Sequence, residues 1–219
     1  MPNTAYIISG GDIDENLLLS EMKKRQKNDI IVAADAGLRI LDELDISPDL
    51  ILGDFDSLEK EILEKYSKTI EISRYNSEKD FSDTELAVEI CKSKGFNNIT
   101  ILGCFGTRMD HSLANINLLY KYHKEDIYIR LVDKFNRLYL IAKSSTVYKK
   151  DMWGKYLSVF PMGGAVNNFS ISGVKYPLKN VVLDKYENPS LTISNEILDK
   201  ECNIELDNGV ILVVESKDN

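Results

Sequence analysis

The alternation of short β-rich runs with helical patterns is the feature that most constrains the fold of this chain. In its first two thirds, apolar runs of strand length are separated by segments whose apolar residues recur every three or four positions. This alternation predicts an α/β domain of β-α-β units, with a mainly parallel sheet flanked by helices. The predicted strands are residues 5–9, 30–34, 50–52, 69–72, 99–102 and 127–132, and the predicted helices lie around residues 17–22, 40–44, 86–90 and 113–120.

The sequence changes character after about residue 140. Short alternating segments punctuated by glycine, proline and asparagine replace the helical periodicity, which predicts a smaller all-β domain, an antiparallel sandwich or barrel. Asn208-Gly209 indicates a tight hairpin between two of its strands. Because 219 residues accommodate two modest domains, we expect boundaries of 1–143 and 144–219. The predicted strands of the second domain are residues 146–149, 156–161, 166–172, 190–194, 202–206 and 210–215.

Charge and cysteine content exclude several classes of protein. The formal net charge of −8 argues against a general binder of nucleic acid or anionic membranes, because such proteins need clustered lysine and arginine. Three widely spaced cysteines without a CxxC pair indicate reduced cytosolic thiols, and Cys91 falls on an apolar helix face, which predicts core packing. With two histidines and no ligand spacing, a zinc site is not expected, and neither is a signal peptide or a membrane span.

Two carboxylates directly follow an apolar strand in residues 50–57. Ligands of an open parallel sheet bind beyond the carboxyl ends of its strands, so Asp54 and Asp56 are expected at the rim of a site. Two residues apart in an extended chain, they point the same way and offer the oxygen ligands that Mg²⁺ prefers beside phosphate. The alternative is local turn chemistry, since aspartate and serine commonly begin turns.

A second acidic cluster, residues 78–85, immediately precedes an amphipathic helix. Asp80 and Asp83 would add carboxylates from a neighbouring strand end, enough with the first pair to hold one or two metal ions. Helix capping is the competing explanation. Ser82 and Glu85 fit the capping box, and an aspartate near a helix N-terminus gains macrodipole stabilisation of about 0.3–1 kcal/mol without a catalytic role. The two clusters together, rather than either alone, predict a metal site.

A glycine-bearing loop between a strand and a helix forms the third element, residues 102–112. Gly103 and Gly106 allow the backbone to approach phosphate closely, the following helix N-terminus favours an anion, and Arg108 adds a local cation. The spacing is neither a Walker loop nor a dinucleotide fingerprint. Asp110 and His111 stay open to two interpretations, a catalytic role or helix capping.

In order and separation, the motifs at residues 53–57, 79–83 and 103–111 resemble those of the thiamine pyrophosphokinase family. Two further stretches support the resemblance, residues 33–37 near the start and residues 172–178 with Ser194-Asn195 in the β-rich part. Each motif is short. Five in the family's order span nearly the whole chain, and together they are much more specific than any one.

The resemblance implies a cytoplasmic, Mg²⁺-dependent enzyme that transfers the diphosphoryl group of ATP to the hydroxyethyl group of thiamine, giving thiamine diphosphate and AMP. It implies an N-terminal Mg-ATP domain, a C-terminal β domain that helps to hold thiamine, and a homodimer with active sites between subunits. By matching position it assigns metal binding to Asp54, Asp56, Asp80 and Asp83, catalysis to these four and Asp110, ATP binding to Asp35, Gly103, Gly106, Thr107, Arg108 and His111, and thiamine binding to Tyr176, Ser194 and Asn195.

The chain departs from the family's pattern at a few positions. Some members have tryptophan in place of Tyr176, glycine in place of Ala36 and threonine in place of Ser82. A phenol in place of an indole weakens cation–π attraction, so thiamine affinity and tolerance of analogues are the properties most affected. Ordinary sandwich packing or turn capping stays an alternative for Tyr176, Ser194 and Asn195.

Two other functions also stay open. A Mg²⁺-dependent nucleotide hydrolase would use the same carboxylates but would release products without an acceptor. A non-enzymatic thiamine or nucleotide sensor would use them only to hold metal. Product analysis with and without thiamine distinguishes all three functions.

Overall fold

Six parallel strands form the central sheet of the first of two units. The structure, a computed structural model, describes residues 3–53, 55, 60–74 and 81–219, and the chain divides into the units Met1–Lys134 and Phe135–Asn219. The strands of the first unit are β1 (Thr4–Ile8), β2 (Ile30–Ala34), β3 (Leu50–Gly53), β4 (Glu71–Arg74), β5 (Asn98–Leu102) and β6 (Tyr128–Val132). Their order is β6-β5-β1-β2-β3-β4 with every neighbouring pair parallel, which confirms the predicted α/β class.

Burial on both faces explains the apolar composition of these strands. All five residues of β1 are buried, as are residues 31–34 of β2 and 99–102 of β5. The flanking helices are α1 (Glu15–Met22), α2 (Gly37–Glu43), α3 (Lys60–Tyr66), α4 (Asp83–Ser93) and α5 (Met109–His123). Cys91 of α4 is fully buried, which confirms its packing role, and burial raises the pKa of its thiol to about 12. Among the residues described, no helix is long and apolar enough to cross a membrane.

The strand order creates a switch point between β1 and β5. From β1 the chain proceeds through β2, β3 and β4 to one edge of this sheet, and then returns to place β5 on the other side of β1. The connections that leave the carboxyl ends of β1 and β5 therefore run in opposite directions along the sheet. In doubly wound folds the crevice between two such connections is where ligands bind.

Two antiparallel sheets make up the second unit. Its strands are β7 (Asn136–Ile141), β8 (Ser145–Tyr148), β9 (Tyr156–Met162), β10 (Val166–Ser172), β11 (Leu178–Leu183), β12 (Asn195–Glu196), β13 (Glu201–Glu205) and β14 (Val210–Ser216). Within this unit they lie in the orders β12-β9-β14-β7 and β11-β10-β13-β8. Buried side chains of both sheets, such as Phe169 and Val213, share one core. The predicted antiparallel architecture is confirmed, and β7 packs with this unit although it precedes the expected boundary at 143/144.

The prediction of a strand at residues 190–194 is wrong. This segment forms consecutive turns, in which the Leu191 N–H donates to the Asn188 carbonyl (3.2 Å) and the Ile193 N–H to the Ser190 carbonyl (3.4 Å). Pro189 has no N–H to give to a ladder, and proline at such positions favours turns over strand interiors. The apolar residues that suggested a strand, Leu191 and Ile193, are exposed. Sequence patterns also miss β7 and β11.

The hairpin predicted at Asn208-Gly209 is wrong as well. The two residues do connect consecutive strands, β13 and β14, but β13 pairs with β10 and β8, whereas β14 pairs with β7 and β9. The turn therefore carries the chain from one sheet to the other. Gly209 has a φ of +86°, a backbone conformation that residues with a side chain rarely adopt. Glycine is therefore needed in this connection.

Candidate active site

A pocket of about 570 Å³ lies at the carboxyl ends of β1 and β5, at the switch point of the first unit. Its lining comes from segments that follow strands or begin helices, namely residues 9–12, 34–36, 82–84, 103–108, 110–111 and 114–115. Every one of these segments carries at least one polar side chain, and the segments 9–12 and 103–108 also contain glycine. The pocket therefore has the position and the composition expected of a nucleotide site in this class of fold.

Eight residues assigned from the sequence line this pocket together. They are Asp35, Asp83, Gly103, Gly106, Thr107, Arg108, Asp110 and His111. Asp54, Asp56 and Asp80 lie outside the described residues. Within the described part of the chain, no three acidic, histidine or cysteine side chains form a group that could hold a metal ion. The four-carboxylate metal cluster therefore stays a prediction.

The loop after β5 is built against the segment that follows β1. The N–H groups of Ser9, Gly11 and Asp12 donate to the carbonyls of Leu102 (2.9 Å), Gly103 (2.9 Å) and Phe105 (2.8 Å), respectively. The two segments touch so closely that a Cβ on Gly11 would lie 2.3 Å from the Phe105 carbonyl oxygen. Glycine is therefore required at position 11 by the close approach of two backbones.

Sequence reasoning missed the segment 9–12 as part of the site. Gly10-Gly11 was visible at the end of the first strand, and its position beyond a central parallel strand was the available signal. Ser9 also contributes through its side chain, because its hydroxyl and that of Thr84 are buried and 2.9 Å apart. This contact ties the end of β1 to the first turn of α4, which carries Asp83.

Asp35 follows β2 in a conformation that is uncommon for a residue with a side chain. Its φ is +48°, and its N–H donates to the Leu52 carbonyl at 2.8 Å. Two residues later, a Cβ on Gly37 would lie 1.9 Å from the Ile8 carbonyl oxygen, so α2 begins directly against β1. Strained backbone of this kind is often kept at functional sites, where the surrounding structure fixes it.

Asp83 and its neighbours combine capping with a position on the pocket wall. The Ser82 hydroxyl accepts a hydrogen bond from the Glu85 N–H at 3.2 Å, so the capping interpretation of Ser82 is confirmed. Asp83 is the first residue of α4 and lines the pocket. The residue that caps the helix and the carboxylate on the pocket wall are therefore neighbours in the chain.

Arg108 and Asp110 form an exposed, two-pronged ion pair at the start of α5. The Arg108 Nε and Nη2 atoms donate to the two carboxylate oxygens of Asp110 at 3.2 and 2.5 Å. The hydrogen bond from Arg108 lowers the pKa of Asp110 to about 2, assisted by the His111 N–H, which donates to the same carboxylate. Asp110 is therefore ionised at neutral pH and is a weak base, which argues against proton abstraction by this residue.

The three residues assigned to thiamine lie close together in the second unit. The side chain of Asn195 accepts a hydrogen bond from the Tyr176 N–H (3.0 Å) and donates one to the Tyr176 carbonyl (2.9 Å). Asn195 is 4% exposed, whereas the Tyr176 residue is 58% exposed. Ser194 has a φ of +54°, and its N–H donates to the Ser158 hydroxyl at 2.9 Å. Asn195 thus fixes the backbone of an accessible aromatic residue.

Family models and a relative of known name match this chain along most of its length. Residues 22–131 match the family model "Thiamin pyrophosphokinase, catalytic domain", and residues 144–211 match "Thiamin pyrophosphokinase, vitamin B1 binding domain". The chain is 31% identical to the thiamine pyrophosphokinase of Bacillus subtilis (strain 168), over 98% of this chain and 99% of that protein.

Solved structures agree with this match. The crystal structure of thiamine pyrophosphokinase from Bacillus subtilis superimposes with a TM-score of 0.87 at 28% identity, covering 99% of this chain and 100% of the other. That of a thiamin pyrophosphokinase family protein from Enterococcus faecalis gives 0.81 at 29% identity with the same coverage. Fold, motif order and sequence identity lead to one conclusion: the chain belongs to the thiamine pyrophosphokinase family.

Proposed function

We propose that this protein is a thiamine diphosphokinase, which transfers the diphosphoryl group of Mg-ATP to the hydroxyethyl oxygen of thiamine and releases AMP. The pocket at the switch point is the main support for this proposal, because the segments 34–36, 82–84, 103–108 and 110–111 line it together at the carboxyl ends of parallel strands. The relatives that match over the whole chain are named for this activity. The α/β domain would bind Mg-ATP and the β domain would bind thiamine.

ATP binding is assigned to Asp35, Gly103, Gly106, Thr107, Arg108 and His111. The loop of residues 103–108 leads into α5, whose N-terminus favours an anion. Arg108 pairs with Asp110 in the structure, and a phosphate group would offer it the same two-pronged hydrogen bonding as the carboxylate. Asp110 would then hold the guanidinium group in a position from which it can contact phosphate oxygens.

Charge distribution supports a requirement for a divalent cation. Ten basic and ten acidic residues cancel in Phe135–Asn219, so the whole formal charge of −8 belongs to residues 1–134, where the polyanion ATP would bind. Mg²⁺ would offset negative charge on the phosphates and on the carboxylates around them. Asp54, Asp56, Asp80 and Asp83 are the residues proposed to hold it.

Attack on the β-phosphorus depends mainly on positioning and charge neutralisation. Asp54, Asp56, Asp80, Asp83 and Asp110 form the proposed catalytic set. Their task is to orient ATP and the thiamine alcohol in line, and Arg108 would stabilise charge on the phosphate oxygens. A phenol ring at Tyr176 would contact the flat, cationic thiamine through its face, with Ser194 and Asn195 building the pocket around it.

We also propose a cytoplasmic homodimer whose active sites lie between subunits. The cytoplasmic assignment is supported by the three cysteines, which are all unpaired and buried. The homodimer follows from the resemblance to the family. Exposure of Tyr176 in the single chain is compatible with a thiamine pocket that a second subunit completes.

The proposed reaction is tested by incubating the protein with Mg-ATP, with and without thiamine, and identifying the products by phosphorus NMR and chromatography. We expect AMP and thiamine diphosphate in equal amounts, formed only when thiamine is present. ADP with thiamine monophosphate would instead define an ordinary kinase, and cleavage without thiamine would define a hydrolase. Binding of both ligands without turnover would indicate a sensor.

A double-mutant cycle tests the proposed role of Asn195. Because Asn195 is buried and bonded to the Tyr176 backbone, it should act on thiamine through the position of the tyrosine ring. We expect Tyr176→Ala and Asn195→Ala each to raise KM for thiamine about tenfold, as loss of a partly desolvated cation–π contact would. KM for ATP should stay unchanged. In the Tyr176→Ala background the effect of Asn195→Ala should disappear, whereas additive effects would mean that Asn195 contacts thiamine directly.

A further inference from the structure

The carbonyl groups of residues 102–105, from the last residue of β5 into the loop that follows, are all bonded within the protein. The carbonyls of Leu102, Gly103 and Phe105 accept hydrogen bonds from the backbone of the segment 9–12. The carbonyl of Cys104 has a different donor, the side-chain amide of Asn115 in α5, at a distance of 2.7 Å. Three carbonyls are thus fixed by backbone pairing, and the fourth depends on one side chain.

Asn115 is an unusual residue for its location. It is 6% exposed and lies on the buried side of α5, which also includes Leu118, Leu119 and Tyr122. An apolar residue would satisfy packing at such a position, and burying an amide is unfavourable unless the amide is hydrogen-bonded. Asn115 also lines the pocket, whereas the leucines and the tyrosine do not. These features indicate that the Asn115 amide serves to hold the loop and not to fill the core.

The hydrogen bond from Asn115 to the Cys104 carbonyl is one that phosphate binding by this loop would require. A loop that binds phosphate must present N–H groups to the anion and keep its carbonyl oxygens, which repel it, bonded elsewhere. In this loop the segment 9–12 occupies the carbonyls on either side of Cys104. Without the Asn115 amide, the Cys104 carbonyl would lose its donor, and the peptide group would be free to turn toward the ligand.

We propose that Asn115 is a positioning residue for the nucleotide, which holds the Cys104 carbonyl and thereby keeps the loop of residues 103–108 in its phosphate-binding conformation. This inference rests on the proposed function, because it takes the loop to be the phosphate site. Asn115 acts through the backbone of the loop, so its contribution should appear in ATP binding and be absent from thiamine binding.

The test compares Asn115→Leu with Asn117→Leu. Leucine matches the size of asparagine but cannot donate a hydrogen bond, and Asn117 is an exposed residue of the same helix, outside the pocket. We expect Asn115→Leu to raise KM for ATP and the Kd of α,β-methylene-ATP about tenfold, the size expected for one lost buried hydrogen bond. KM for thiamine should not change, and Asn117→Leu should behave as the unmodified protein.

Two further measurements separate positioning from a general loss of stability. Asn115→Gln keeps an amide donor and should recover part of the ATP affinity. Hydrogen exchange at Gly11 and Asp12, whose N–H groups donate to carbonyls of the loop, should be faster in Asn115→Leu than in either other variant. Equal increases in both KM values, or unchanged affinity for α,β-methylene-ATP in a folded Asn115→Leu protein, would overturn the inference. Failure of the proposed reaction would show separately, as absence of thiamine-dependent AMP in the unmodified protein.

Discussion

We expect Asp83→Asn to lower kcat/KM for ATP by about 10²-fold, the size of effect seen when one electrostatic stabiliser of a transition state is lost. The substitution keeps the shape of the side chain and removes its charge. Asp83 lines the pocket in the first turn of α4, where a carboxylate can share a divalent cation with phosphate oxygens. The concentration of Mg²⁺ that gives half the maximal rate should therefore rise. The measurement is the rate of thiamine-dependent AMP formation across a Mg²⁺ titration.

Glu85→Gln is the matched control, because it removes a charge from the same helical turn outside the pocket lining. Glu85 pairs with Lys121 at 2.7 Å. Each substitution removes a negative charge from the first turn of α4, where a carboxylate stabilises the helix by about 0.3–1 kcal/mol. Both substitutions should therefore lower the free energy of unfolding slightly. Only Asp83→Asn should change the Mg²⁺ dependence. An unchanged dependence in folded Asp83→Asn protein would leave helix stabilisation as the whole role of Asp83.

The architecture of the first unit could be predicted because its strands are buried on both faces. Residues 30–34 are a continuous apolar run and residues 99–102 are apolar except for Thr100, and the structure places β2 and β5 there. The strands that escaped prediction in the second unit give weaker signals. β7 carries Arg137 and Tyr139, which both donate to the buried carboxylate of Glu215, and β11 is largely exposed and pairs irregularly with β10. Polar partners and exposure obscure the alternation on which strand prediction depends.

The sequence allowed prediction of those pocket residues whose type alone indicates a chemical role. Carboxylates, an arginine and glycines at strand ends predicted a phosphate pocket, and those that are described, such as Asp83 and Arg108, line the same pocket. The residues that were missed, including Ser9, Thr84 and Asn115, are hydrogen-bonded between one structural element and another. Ser9 and Thr84 are 75 positions apart in the sequence, and Asn115 lies in the helix that follows the loop it binds. Such partnerships leave no local pattern, because each residue alone resembles an ordinary polar residue near the end of a helix or strand.

Gly11 is another pocket residue that the sequence analysis missed, and we expect Gly11→Ala to lower kcat/KM for ATP by about 10²-fold or more. A Cβ at this position would lie 2.3 Å from the Phe105 carbonyl oxygen and 2.5 Å from that of Gly103. The segment 9–12 and the loop after β5 would have to separate, and a displacement of about 1 Å at a reacting centre can cost 10²-fold in rate. The measurements are kcat/KM for ATP and the Kd of α,β-methylene-ATP.

Gly164→Ala is the control for the added methyl group, since no heavy atom lies within 4 Å of a Cβ at that position. It should leave activity and the free energy of unfolding unchanged. Gly11→Ala changes a contact between two loops, so its affinity for α,β-methylene-ATP should fall much more than its stability. A folded Gly11→Ala protein that bound this ligand with normal affinity would show that the phosphates do not contact the loop after β5. Since Asn115 and Arg108 are assigned through the same loop, their proposed roles would then fail together.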